Sequence, residues 1–270
     1  MTSGGTTGVG GPDGAAGSGA TTGSGGPPQK SAGCGMAPPA SDTSVTVSGG
    51  TGTYILDLPT NYDNTKAYPL IFVWHGAGVT NTAFHGYLDI HSQVGNDGIV
   101  VTPETINNSG TWPNDASYFD ALLAHFSSSY CIDQGRVFTT GHSLGGLHTG
   151  LLGCLRADKL RGDAVLAAPH PTGQCVPGDM AAMMSVGMSD FVANGPTEFQ
   201  WWAQKNGCDY TMTTPVDPST FTTGAPAESG TCVEYGGCAP GTPVRTCTFN
   251  GGHEIPDWVA GAVWSFFKKL

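Results

Sequence analysis

Arg136-Val137-Phe138-Thr139-Thr140-Gly141-His142-Ser143-Leu144-Gly145-Gly146 is the stretch that decides how the rest of the chain reads. Arg136 to Thr140 is a short β-like run, and a helix-like run opens at Gly146 and continues as Leu147 to Leu155. Between them the pentapeptide Gly141-His142-Ser143-Leu144-Gly145 matches G-x-S-x-G. A strand that turns sharply into a helix at a strained residue projects that side chain above the sheet, and flanking glycines let the backbone turn without clashes. With 42 glycines in 270 residues, such a match arises by chance about 0.4 times, so the flanking sequence must decide whether Ser143 is a nucleophile.

Upstream, Thr53 to Leu58 and Tyr68 to Trp74 read as strands, and the second (YPLIFVW) is a continuous apolar run of the kind buried on both faces. Ile99 to Thr102 is another such strand. Ala116 to Tyr130 carries Phe119, Leu122, Leu123 and Phe126 at helical spacing, an amphipathic helix crossing back to the strand before Ser143. Downstream, Ala164 to Ala168, Met180 to Met188 and Val244 to Phe249 read as strands, and Phe199 to Lys205 and Trp258 to Lys269 as helices. This alternation predicts an α/β fold, a mostly parallel sheet with helices on both faces.

Composition bounds the function. Residues 1–33 are dominated by Gly, Thr, Ser and Pro with almost no apolar content, so they are expected to form a disordered linker, leaving 34–270 as one catalytic domain. A net charge of −11 argues against nucleic acid and anionic membrane as partners, since both select basic patches. There is no basic segment leading into an apolar signal core and no run long enough to span a bilayer, so the chain reads as a mature or trimmed form without a membrane span, acting as a monomer. Cys34, Cys131, Cys154, Cys175, Cys208, Cys232, Cys238 and Cys247 form an even set with no CxxC pair and no histidine clustering. That pattern favours disulfides in a secreted or cell-surface protein over metal ligation, and no cofactor or metal is expected. A bridge within Cys232, Cys238 and Cys247 would brace the loop that follows them.

A serine hydroxyl is a poor nucleophile unless a histidine takes its proton and a carboxylate fixes the histidine tautomer. In hydrolases with this strand–turn–helix the chain order is serine, acid, histidine. His148 and His170 come too early for that order, whereas His253, in Asn250-Gly251-Gly252-His253-Glu254, follows the last predicted strand on a glycine-rich loop. For the acid, Asp190 follows the strand Met180 to Met188 at its carboxyl end, where functional loops gather. Asp179 would emerge at the opposite end, and Asp209 and Asp217 fall in a polar stretch that reads as a surface loop. Two N–H donors must hold a developing oxyanion. Leu144, directly after the nucleophile, is one candidate, and Ala77, in His75-Gly76-Ala77-Gly78 after the strand ending at Trp74, is the other. His75 reads as a structural histidine holding that loop. Trp112 and His142 are candidate substrate contacts: the Trp112 ring, on a loop at the carboxyl side of the sheet, suits stacking on an aromatic or sugar ring as well as covering the core. Trp201 and Trp202 are adjacent on a helix, so one of them packs inward.

Six segments together resemble the feruloyl esterase and polyhydroxybutyrate depolymerase group of α/β-hydrolases: SAGCG from Ser31, YILDLPTNYD from Tyr54, YPLIFVWHGAG from Tyr68, WPNDASYFDALL from Trp112, YCIDQGRVFTTGHSLGG from Tyr130 and GGHEIPDW from Gly251. The resemblance implies the α/β-hydrolase fold over Ser31 to Leu270, with Ser143, Asp190 and His253 in the triad roles. It also implies a secreted serine carboxylesterase releasing hydroxycinnamates from plant cell wall polysaccharide, with acetylxylan or polyester cleavage on the same triad as alternatives. The chain departs from the group at Val186, where many relatives carry a histidine. A serine peptidase and a noncatalytic carbohydrate-binding scaffold are the rival classes. The first lacks a substrate-filtering domain, and the second leaves the filled triad positions without a purpose.

Overall fold

Uninterrupted apolar runs are satisfied only in a sheet covered on both sides. The computed structural model describes Met1 and residues 27–169, 180–191, 199–222 and 226–270. Most of the expected linker, together with His170, Cys175 and Asp179, lies outside those residues. Among the described residues the strands are β1 (Ser44–Val47), β2 (Gly50–Asp57), β3 (Tyr68–Trp74), β4 (Ile99–Pro103), β5 (Ile132–His142), β6 (Gly162–Leu166), β7 (Ala181–Gly187), β8 (Asp209–Val216), β9 (Gly230–Gly236) and β10 (Val244–Phe249). The helices are α1 (Asn81–Leu88), α2 (Ile90–Val94), α3 (Ser117–Ser129), α4 (Leu144–Leu155), α5 (Phe199–Lys205) and α6 (Val259–Lys268).

The sheet order is β1-β2-β4-β3-β5-β6-β7-β10-β9-β8. Its middle, from β4 through β10, is parallel, and the pairs at both ends are antiparallel. Every residue of β3, β4, β6 and β7 is buried, as their sequences require. The pleat divides β3 between two cores. Leu70, Phe72 and Trp74 face α3, α4 and α5, whereas Ile71 and Val73 face α1, α2 and α6.

The structure corrects the reading at the sheet's edge. The polar stretch holding Asp209, expected to be a surface loop, forms β8, which pairs with β9. Almost every residue of β8 is exposed, so it carries no burial pattern from which a strand could be read. β5 also begins four residues earlier than expected, at Ile132, and α4 starts directly at Leu144.

Chain ends and edges are tied down covalently and by hydrogen bonds. The Gln29 N–H donates to Asp133 at 2.9 Å and the Ser31 N–H to the Ile132 carbonyl at 3.0 Å, so the chain is anchored ahead of residue 33. Disulfides join Cys34 to Cys131, Cys208 to Cys238 and Cys232 to Cys247, and Cys154 is also disulfide-bonded. The Cys232–Cys247 bridge clips β9 to β10, the strand that leads into the His253 loop. No helix among the described residues is long and apolar enough to cross a membrane.

Candidate active site

Ser143 occupies the turn between β5 and α4 with φ 57° and ψ −119°, a left-handed conformation that costs a non-glycine residue about 1–3 kcal/mol. Such strain persists only where the surroundings enforce it, and two glycines show how they do. A Cβ on Gly141 would sit 2.5 Å from the Gly145 carbonyl oxygen, and one on Gly145 would sit 2.0 Å from the Trp74 carbonyl oxygen. α4 therefore packs directly on the backbone of β3 and β5, leaving Ser143 at the apex.

The partners arrive from two neighbouring parallel strands. β7 ends at Gly187 and leads to Asp190, whose N–H closes a tight turn onto the Gly187 carbonyl at 3.0 Å. β10 ends at Phe249, the residue paired with Gly187, and leads to His253. The two loops are stitched together by the Met188 N–H to Phe249 O and the Ser189 N–H to Gly251 O, both 2.9 Å. As a result the Asp190 carboxylate receives His253 Nδ1 at 2.9 Å, and His253 Nε2 lies 2.7 Å from Ser143 Oγ. The Asp190 side chain is fully buried, whereas the His253 side chain is 36% exposed, so the acid is sealed in and the histidine is open to a substrate. This chain of contacts can draw a proton from Ser143 Oγ to His253 Nε2 while the carboxylate fixes Nδ1–H.

Leu144 opens α4, so its N–H is one of the first-turn donors with no intrahelical acceptor. Ala77 is exposed on the loop after β3, and buried Gly76 beside it backs onto Ser143, where an added Cβ would lie 3.3 Å from the Ser143 Cβ. Both expected oxyanion donors thus belong to segments adjoining Ser143.

The other expected site residues are engaged in holding loops. His142 Nε2 lies 2.9 Å from the His253 carbonyl oxygen and donates to it. Burial, reinforced by the nearby His253, pushes the His142 pKa down to about 4, so its ring is neutral at neutral pH. The Trp112 indole N–H donates to the His75 carbonyl at 3.0 Å, and its half-buried ring lies against Trp74, His75 and His148. His148, read as too early for the triad, is buried among these rings, which drives its pKa down to about 3. Trp202 is the inward member of the tryptophan pair, fully buried, while Trp201 is partly so.

Sequence reasoning missed Tyr87, whose hydroxyl accepts the Ile255 N–H at 2.9 Å and so pins the far side of the His253 loop. Nothing in its local sequence marks it, because the contact spans 168 positions. Metal-ligand chemistry among the described residues is offered by Asp57, His85 and His91, with ligand atoms within 4.8 Å of one another. They come from β2, α1 and α2, none of which carries Ser143, Asp190 or His253.

No family model matches the chain. It is 30% identical over 258 residues to a probable feruloyl esterase C of Aspergillus terreus, covering 88% of this chain and 91% of that protein. It is 31% identical over 274 residues to feruloyl esterase D of Neurospora crassa, covering 89% and 90% respectively. Among solved structures, the acetyl xylan esterase from Aspergillus awamori superposes with a TM-score of 0.58 at 14% identity, over 81% of this chain and 94% of that one. The feruloyl esterase module from Clostridium thermocellum, complexed with sinapinate, gives 0.57 at 15% identity, over 90% and 93%. At such identities the structural likeness establishes the fold, and the sequence relatives establish the family.

Proposed function

The chain belongs to the feruloyl esterase family of α/β-hydrolases and is a carboxylic-ester hydrolase, and on that premise we propose that it cleaves hydroxycinnamoyl esters of plant cell wall polysaccharide through an acyl-enzyme on Ser143. The observation that carries the proposal is the unbroken hydrogen-bond chain from Ser143 Oγ through His253 to the buried Asp190. In the first half-reaction His253 Nε2 takes the Ser143 proton as Oγ attacks the ester carbonyl. The amides of Leu144 and Ala77 receive the oxyanion, and the protonated His253 then gives its proton to the leaving alcohol. In the second half, His253 takes a proton from water, which attacks the acyl group, and returns it to Ser143 as the acid leaves. Asp190 holds the Nδ1 proton throughout.

The relatives' names supply the acyl group of this reading, and the acidic surface fits a neutral polysaccharide ester better than a polyanion. Disulfide bonding of every described cysteine supports folding in an oxidising compartment, hence secretion.

The test compares methyl ferulate, acetylated xylan and a polyester film as substrates for the wild type and Ser143→Ala. The proposal expects methyl ferulate to be the preferred substrate and the variant to lose at least about three orders of magnitude in kcat. A Ser143→Ala enzyme with near wild-type turnover would overturn the mechanism, and preference for acetyl or polyester substrates would overturn the acyl specificity.

A further inference from the structure

A second acid–histidine pair lies on the other side of Ser143. Trp74 ends β3 and Pro103 ends the parallel neighbour β4, so His75 and Glu104 emerge side by side, as Asp190 and His253 do beyond β7 and β10. His75 Nε2 lies 2.9 Å from Glu104 Oε1, and both residues are buried, at 2% and 8% exposure. The carboxylate also accepts the Thr105 N–H at 2.8 Å, the Thr105 hydroxyl at 3.1 Å and the Asn81 N–H at 3.0 Å. Burial pushes the Glu104 pKa up, but the Asn81 and Thr105 N–H groups and the His75 charge outweigh it and hold the pKa below its usual range. An ionised carboxylate only accepts, so Nε2 carries a proton. The other ring nitrogen, Nδ1, faces the Gly76 carbonyl at 2.9 Å, which also only accepts. Each ring nitrogen therefore meets an acceptor, and the buried ring is clamped between the Glu104 carboxylate and the Gly76 carbonyl.

The Gly76 carbonyl belongs to the same planar unit as the Ala77 N–H. In a trans peptide the C=O and N–H point in opposite directions, so fixing one aims the other. The preceding peptide is fixed as well, because the Trp112 indole N–H holds the His75 carbonyl at 3.0 Å. Resting on the reading of Ser143 as nucleophile, we infer that Glu104 and His75 are positioning residues: they lock the Gly76–Ala77 peptide so that the Ala77 N–H is preset for the oxyanion formed at Ser143. Trp112 secures the same loop one peptide earlier. The Nδ1–H donation to the Gly76 carbonyl and the Ala77 N–H run head to tail through one peptide, and such aligned hydrogen bonds polarise one another and strengthen the final donor.

The arrangement acts on the transition state, since a ground-state ester carbonyl carries little of the charge the N–H is set to receive. The test is Glu104→Gln, with Trp112→Phe as a second variant that keeps a ring and removes the N–H. Each is assayed for kcat, KM, the affinity of an arylboronic acid that forms a tetrahedral adduct on Ser143, the affinity of ferulate as ground-state ligand, and thermal unfolding. The expected result for Glu104→Gln is a loss of about tenfold to a hundredfold in kcat, less than the 10²–10³ for removing a donor outright. KM and ferulate affinity stay within about threefold, boronate affinity falls in step with kcat, and Trp112→Phe moves the same quantities by less. Unchanged kcat in folded variants overturns the inference, and so does equal weakening of boronate and ferulate, which is the mark of a merely structural role. Failure of the nucleophile reading would show separately, as turnover persisting in Ser143→Ala.

Discussion

Replacing Asp163 with asparagine should stabilise the protein increasingly as pH rises. Asp163 lies on β6, fully buried, and neither carboxylate oxygen has a hydrogen-bond partner among the described residues. Burial raises its pKa well above 3.8, only partly countered by the Lys205 charge, so the folded protein keeps the carboxyl protonated. An unfolded chain ionises the same group at its ordinary value, near 3.9. Between those two values the folded state binds one more proton than the unfolded state, so wild-type stability falls as pH rises through the window. The slope within that window is about 1.4 kcal/mol per pH unit. For a domain of this size each pH unit inside the window is a Tm difference of about 3–6 °C. Asparagine has nearly the same shape and cannot ionise, so it should match the wild type at the acid end and pull ahead as pH rises. The assay is thermal and urea unfolding of both proteins across a pH series, disulfides intact. A difference that stays flat with pH, or that favours the wild type at the upper end, would show that burial does not keep Asp163 protonated in the folded protein.

Two further perturbations test how the sheet's edge supports the site. The fully buried Arg245 guanidinium on β10 is held by the Glu234 carboxylate, the Ala262 carbonyl at 2.7 Å and Ser265 Oγ at 2.8 Å. Glu234→Ala strands that charge and should cost about 3 kcal/mol in urea unfolding, whereas Asp97→Asn, which breaks the exposed pair with Lys268, should cost no more than about 0.5. Replacing Cys232 and Cys247 together by serine opens a loop closed over 15 positions, worth about 3 kcal/mol on the chain-entropy account. That loss should appear as a lowered Tm, with kcat reduced to the extent that the bridge braces the His253 loop.

What was legible in the sequence follows from where the physics is local. YPLIFVW and the runs at β4, β6 and β7 are wholly buried, so hydrophobicity alone marks them. Ser143 was legible because a strained turn requires glycines beside it, and His253 and Asp190 because chain order and strand ends narrow the choice. β8 was not legible, since an exposed polar edge strand has no burial pattern and is held by its pairing with β9. Glu104 escaped for a different reason. Its position just after β4 could have been found by the rule that selected Asp190, but its partner is a histidine outside the triad order. The engagement of Trp112 and His142 with backbone carbonyls was hidden as well, because those acceptors lie 37 and 111 positions away.

The glycine content that makes a G-x-S-x-G match cheap is also what this geometry demands. Ser143 leaves β5, while His253 leaves β10, and β6 and β7 stand between them in the sheet. The histidine loop must therefore run back over the end of β7 to reach Ser143. A Cβ on Gly187, the last residue of β7, would come within 2.2 Å of the Gly252 carbonyl oxygen and 2.5 Å of that of Gly251. Backbone thus crosses backbone at a point where no side chain fits, and the same crossing brings Asp190, three residues beyond Gly187, within hydrogen-bond reach of His253 Nδ1. Glycines at 141 and 145 seat α4 on the sheet under Ser143, and Gly187 lets the His253 loop pass over β7. Between these two close approaches, Ser143 Oγ and His253 Nε2 are set 2.7 Å apart.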